Sequence, residues 1–103
     1  MRMLLKVTID VEAGNKAIKN GDLAKIMRTA HETLKPEAAY FLPEGGKRAA
    51  LFFFDLASPS DIPVVAEPFF NGLNASVEVT PAMNVQDVMA GLERYAGSAT
   101  VHA

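Results

Sequence analysis

The 103-residue sequence predicts one α+β domain, an antiparallel sheet with its helices gathered on a single face. Two kinds of period carry this prediction. Segments near both ends alternate apolar and polar residues with period two, and the segments between them repeat apolar residues at helical spacing. A third observation ties them together. Pro36 to Leu56, PEAAYFLPEGGKRAALFFFDL, reads as two strands joined at Gly45-Gly46, a pair that supplies positive φ at both centres of a type I′ turn.

In chain order, Met3 to Val11 is the first strand, with Met3, Leu5, Val7, Ile9 and Val11 on one face and Leu4, Lys6, Thr8 and Asp10 on the other. Ala13-Gly14-Asn15 breaks it, and Asn15 is placed to cap a short helical turn running to Lys19 before Asn20-Gly21 interrupts. Leu23, Ile26, Met27, Ala30 and Leu34 then form a helical stripe that ends at Pro36, with Lys35 pushed toward extended backbone by that proline.

The Gly-Gly turn sets the hairpin register. If Glu44 pairs with Lys47, Tyr40 meets Leu51 and Ala38 meets Phe53 on one face, while Phe41 meets Ala50 and Ala39 meets Phe52 on the other. Both faces are apolar and must be covered, yet so short a chain has helices for only one. The second cover is expected to be another copy of the chain.

Beyond the hairpin, Ser58-Pro59-Ser60-Asp61 introduces a helix over Ile62 to Phe70, with a break expected near Glu67-Pro68 that turns Phe69 and Phe70 inward. Asn74 to Pro81 alternates Ala75, Val77 and Val79 against Ser76, Glu78 and Thr80, which makes it a half-polar strand. Asn84 or Thr80-Pro81 opens a last amphipathic helix carrying Val85, Val88, Met89, Leu92 and Tyr95, closed by Gly97. Residues 1–97 form the domain, and 98–103 are a frayed tail.

The order β-α-β-β-α-β-α is the split βαβ, or ferredoxin-like, arrangement with an extra C-terminal helix. This order and the two-sided apolar hairpin resemble the dimeric α/β-barrel superfamily, in which two such protomers join sheets face to face. The strings PEAAYF, FFFD, AEPFF and LNASVEVTPAMN are similar to small bacterial members of that superfamily to which no activity is assigned. The resemblance spans the chain up to Tyr95 and implies a homodimer. It leaves the activity open, because the superfamily holds cofactor-independent monooxygenases, lactone isomerases, haem enzymes and small-molecule sensors.

Composition narrows the partners. The net charge is −2, with 10 basic residues scattered among 12 acidic ones, so no basic stripe exists for nucleic acid. With no cysteine there is no disulfide, thiolate metal site or thiol nucleophile, and a cytoplasmic setting is expected. The opening MRMLLKVTIDVEAG is too short and too interrupted for a signal peptide, and no segment approaches a membrane span.

Candidate chemistry belongs to the face away from the helices, which alternation gives Lys6, Thr8, Asp10, Tyr40, Leu51, Phe53, Asp55, Ser76, Glu78 and Thr80. Asp55 belongs there because burial beneath the helices would cost an unpaired carboxylate several kcal/mol. Lys6, Asp10, Tyr40, Phe53 and Glu78 are the ligand-binding candidates, and Thr8, Leu51, Phe53 and Thr80 the dimer-interface candidates. Placing the second and fourth strands toward the sheet edges holds Glu78 apart from the first strand's residues, unless the sheet curls or a partner supplies the opposite wall. Two readings of this face stand side by side: a wall for a small hydrophobic ligand, or a dimer seal with charges at its wet rim.

The remaining residues add little. His31 is a lone helical histidine and His102 lies in the tail, so neither has a metal-site partner at a suitable spacing. Ser58, Ser60 and Ser76 lack a triad, Gly45-Gly46 lacks the helix of a phosphate loop, and Glu67 reads as a solvated or capping residue. No cofactor or metal is expected. The function expected is a homodimeric module that binds a small molecule or a partner. The alternative is a cofactor-independent enzyme of monooxygenase or isomerase type, with Asp10 or Glu78 as proton acceptor and Tyr40 or Lys6 stabilising negative charge.

Overall fold

The computed structural model describes residues 1–102, with side chains through Ser98. Four strands, β1 (Arg2–Ile9), β2 (Ala38–Glu44), β3 (Lys47–Asp55) and β4 (Ala75–Pro81), form one sheet in the order β2-β3-β1-β4. Every neighbouring pair is antiparallel, as in a ferredoxin-like fold. The helices are α1 (Val11–Asn20), α2 (Asp22–Leu34), α3 (Ile62–Leu73) and α4 (Val85–His102), and a single 3-10 turn at Pro59–Asp61 precedes α3.

The hairpin has the register its turn dictates. Gly45 and Gly46 take φ of 58° and 77°, Glu44 pairs with Lys47, and Tyr40, Ala38, Phe41 and Ala39 pair with Leu51, Phe53, Ala50 and Phe52 respectively. Period two then sorts the sheet into two faces. Met3, Leu5, Val7 and Ile9 of β1 and Ala50, Phe52 and Phe54 of β3 point into the core, where Val65, Phe69 and Leu73 of α3 meet them. Phe52 is fully buried, with its ring 5.8 Å from Phe41, edge to face, and 6.1 Å from Phe69.

Several local expectations are corrected. The first strand ends at Ile9, because the Asp10 carboxylate accepts the Ala13 N–H at 3.0 Å and starts α1 there, so Val11 and Asn15 are helical. Lys35 is left-handed, with φ 46°, and not extended; its N–H closes α2 by donating to the His31 carbonyl. Pro68 does not break α3. The helix runs through it because Val65, Phe69 and Leu73 are buried on one side of it, and that burial outweighs the bond proline cannot donate. Phe69 goes inward as expected, whereas Phe70 stays 45% exposed.

The last helix differs most. Asn84 and Asp87 cap it reciprocally, the Asp87 N–H donating to Asn84 Oδ1 at 2.8 Å and the Asn84 N–H to Asp87 Oδ2 at 3.0 Å. Gly97 lies inside α4 and does not end it. The side chains of 99–102, His102 among them, and all of Ala103 lie outside the described residues, as does that part of the expected tail. Beyond its first turn α4 stands off the body, with Met89, Leu92 and Tyr95 all exposed. It stretches the molecule to 61 Å with a radius of gyration of 17.2 Å, against about 13 Å for a compact chain of this length. Among the described residues no helix is long and apolar enough to cross a membrane.

Candidate functional site

The sheet face opposite α1, α2 and α3 carries every predicted site residue but one. Cross-strand pairing sets its side chains in rows. One row reads Tyr40, Leu51, Lys6, Glu78; the next reads Ala38, Phe53, Leu4, Thr80; the third reads Leu42, Ala49, Thr8, Ser76. The β2-β3 half is therefore apolar and the β1-β4 half polar. Leu4, Leu51 and Phe53 are half-buried by their neighbours, while Tyr40 is 59% exposed.

Lys6 organises the polar half. It lies directly opposite Glu78 on β4, so the expectation that strand order keeps Glu78 away from the first strand is corrected: β1 is flanked by β4 as well as by β3. Its Nζ donates to Glu44 Oε1 at 2.7 Å. Because β3 lies between β1 and β2, this ion pair spans a whole strand. The Glu44 hydrogen bond, with the charges of Glu44 and Glu78, raises the Lys6 pKa above its ordinary value against a smaller opposing cost of desolvation.

Lys6, Thr8, Glu44, Ser76 and Glu78 together line a shallow recess of about 310 Å³. One cation, two carboxylates and two hydroxyls converge there. Such a set can hold a ligand's polar end by charge and by hydrogen bonds in both directions. Sequence reasoning missed Glu44, although alternation along β2 already put it on the same face as Tyr40.

The other candidates are dispersed. Asp10 leaves the face altogether, its side chain being spent on the cap of α1. Tyr40 shares a row with Lys6 but stands beyond Leu51 and does not line the recess. Phe53 and Thr80 lie one row away, on either side of Leu4. Asp55 is on this face as expected, 80% exposed and paired with the N-terminal ammonium of Met1 at 2.6 Å.

At the far end of the face Arg2 joins three elements. It donates through Nε to Glu37 Oε1 at 2.9 Å, and through Nη1 to Asp87 Oδ2 at 2.7 Å and to the Ala82 carbonyl. The Asn84 N–H first, and Arg2 second, hold the Asp87 carboxyl below its ordinary pKa. A separate groove of about 300 Å³ between α2 and α3 has apolar walls, among them Ile26, Ala30, Val65 and Phe69, and contains none of the residues of these rows.

No protein-family model matches the chain, and no curated protein matches it.

Proposed function

We propose that the chain is a homodimeric binding module whose two copies turn their open sheet faces toward one another, as in the dimeric α/β barrels it resembles. The observation that supports this most is the one-sided helix layer: the opposite face leaves Leu4, Leu51 and Phe53 without a helix above them. A second copy would satisfy both faces at once, with Thr8, Leu51, Phe53 and Thr80 at the contact. The recess around Lys6 then takes the polar end of a small, largely apolar molecule whose remainder lies along Leu51 and Phe53. With no cysteine in the chain, the cytoplasm is the setting we assign it.

The pairing of Lys6 with Glu78 favours a second reading, a cofactor-independent enzyme in which Glu78 accepts a proton and Lys6 stabilises the negative charge that develops. A native mass spectrum of the protein taken from cell extract tests the first reading. It should show a dimer that retains a small molecule, and a bare monomer would refute it. Consumption of the retained molecule would favour the enzyme.

A further inference from the structure

Phe41 faces the helix layer, yet it is 62% exposed. It lines an apolar groove of about 320 Å³ between α2 and the hairpin, together with Leu23, Met27, Leu42, Pro43 and Arg48. The molecule carries a convex counterpart to this concavity. On α4, Val85, Val88, Met89, Leu92 and Tyr95 recur at the i, i+3, i+4, i+7 spacing of a helix that seats in a groove, and all five are exposed.

We propose that α4 is an exchanged arm, its stripe seated in the Leu23–Met27–Phe41–Leu42 groove of a second copy of the chain. This rests on the pairing of two copies proposed above and names where the two chains hold each other.

Area, charge and continuity select a second copy as the occupant. Five side chains bringing on the order of 60 Å² each, met by an equal area of groove and doubled by two-fold symmetry, bury on the order of 1,200 Å², the lower bound for a specific dimer, so that arm and sheet contact are needed together for a stable one. Glu93 flanks the stripe and Arg48 lines the groove; neither makes an ion pair among the described residues, the Arg48 charge being met only by the neutral Asn15 Oδ1, to which Nη2 donates at 3.0 Å. Leu42 and Ala49 belong both to this groove and to a row of the open face, so arm and face form one continuous contact. In its own chain the arm's stripe is uncovered. Its first turn is fixed by the Asn84–Asp87 cap and by Arg2, at the end of β1 opposite the Thr8–Ala49 pair, about 20 Å along the strand.

The chain has no cysteine, so disulfide trapping reads the arm's position cleanly. Leu92→Cys mixed with Met27→Cys, or with Phe41→Cys should the first groove variant fold poorly, is expected to give a disulfide-linked heterodimer under mild oxidation, well above the yield with an α1 control, Lys16→Cys. The double variant Met27→Cys/Leu92→Cys should cross-link between chains. Heterodimer yield no greater than the control, or a disulfide within one chain, overturns the exchange. Sedimentation of the same samples separates the two ideas. A dimer that does not cross-link refutes the arm alone, a cross-linking dimer that survives Phe53→Lys refutes the face pairing alone, and an unmodified chain that stays monomeric refutes both.

Discussion

Lys6 Nζ and Glu44 Oε1 lie 2.7 Å apart although a complete strand, β3, separates the strands that carry them. The contact ties the edge strand β2 to the sheet centre and, with Glu78 opposite Lys6, gives the open face its polar half. Both partners are partly exposed, so the pair matters more for placing charge than for stability.

Substituting Glu78 by Gln removes one of the two carboxylates around Lys6 while keeping its shape. Ligand binding, or turnover if there is any, should weaken measurably in titration calorimetry, while the dimer and its melting temperature stay nearly unchanged. A shift in melting temperature with ligand affinity untouched would make Glu78 a structural residue.

Phe52→Ala should destabilise the protomer by about 3–5 kcal/mol in denaturant titration, because it empties the space between Phe41 and Phe69 in a fully buried position. A loss below about 1 kcal/mol would mean that the core collapses around the deletion, contrary to the packing described.

Acid should loosen the root of α4. The folded pKa of Asp87 lies below its ordinary 3.8, so the stabilisation from its carboxylate is fully present above that value and is lost as pH falls through the lowered one. Helicity at Asn84 and Asp87, followed by NMR amide shifts, should fall in that acid window. Lys6 behaves oppositely: its raised pKa makes its contribution complete below the ordinary 10.5 and lost as pH climbs through the raised value. An α4 root unchanged far below pH 3.8 would contradict the assigned role of Asp87.

What the sequence discloses and what it hides divide along physical lines. The hairpin register was legible because Gly45 and Gly46 admit one tight turn, and period two then sorts every later residue of β2 and β3 to its face. Asp10 was not, because an acidic residue in step with β1 is equally suited to cap a helix, and only the path of the chain decides between the two. Pro68 misleads because its cost is set for a helix in isolation, whereas Val65, Phe69 and Leu73 hold α3 by tertiary burial. The Lys6–Glu78 pairing needs the β1–β4 register, which no local pattern encodes. The stripe on α4 was plain, but a helical period shows only that one face seeks cover, not which chain supplies it.

Sedimentation of the unmodified chain beside Phe53→Lys shows whether the open face is closed by a second copy. A dimer at low micromolar concentration is expected for the first and a folded monomer for the second, since Phe53 sits in the row between Ala38 and Leu4 on that face. A folded monomer for the unmodified chain that binds no hydrophobic dye would contradict that closure, as would a Phe53→Lys dimer as tight as the original.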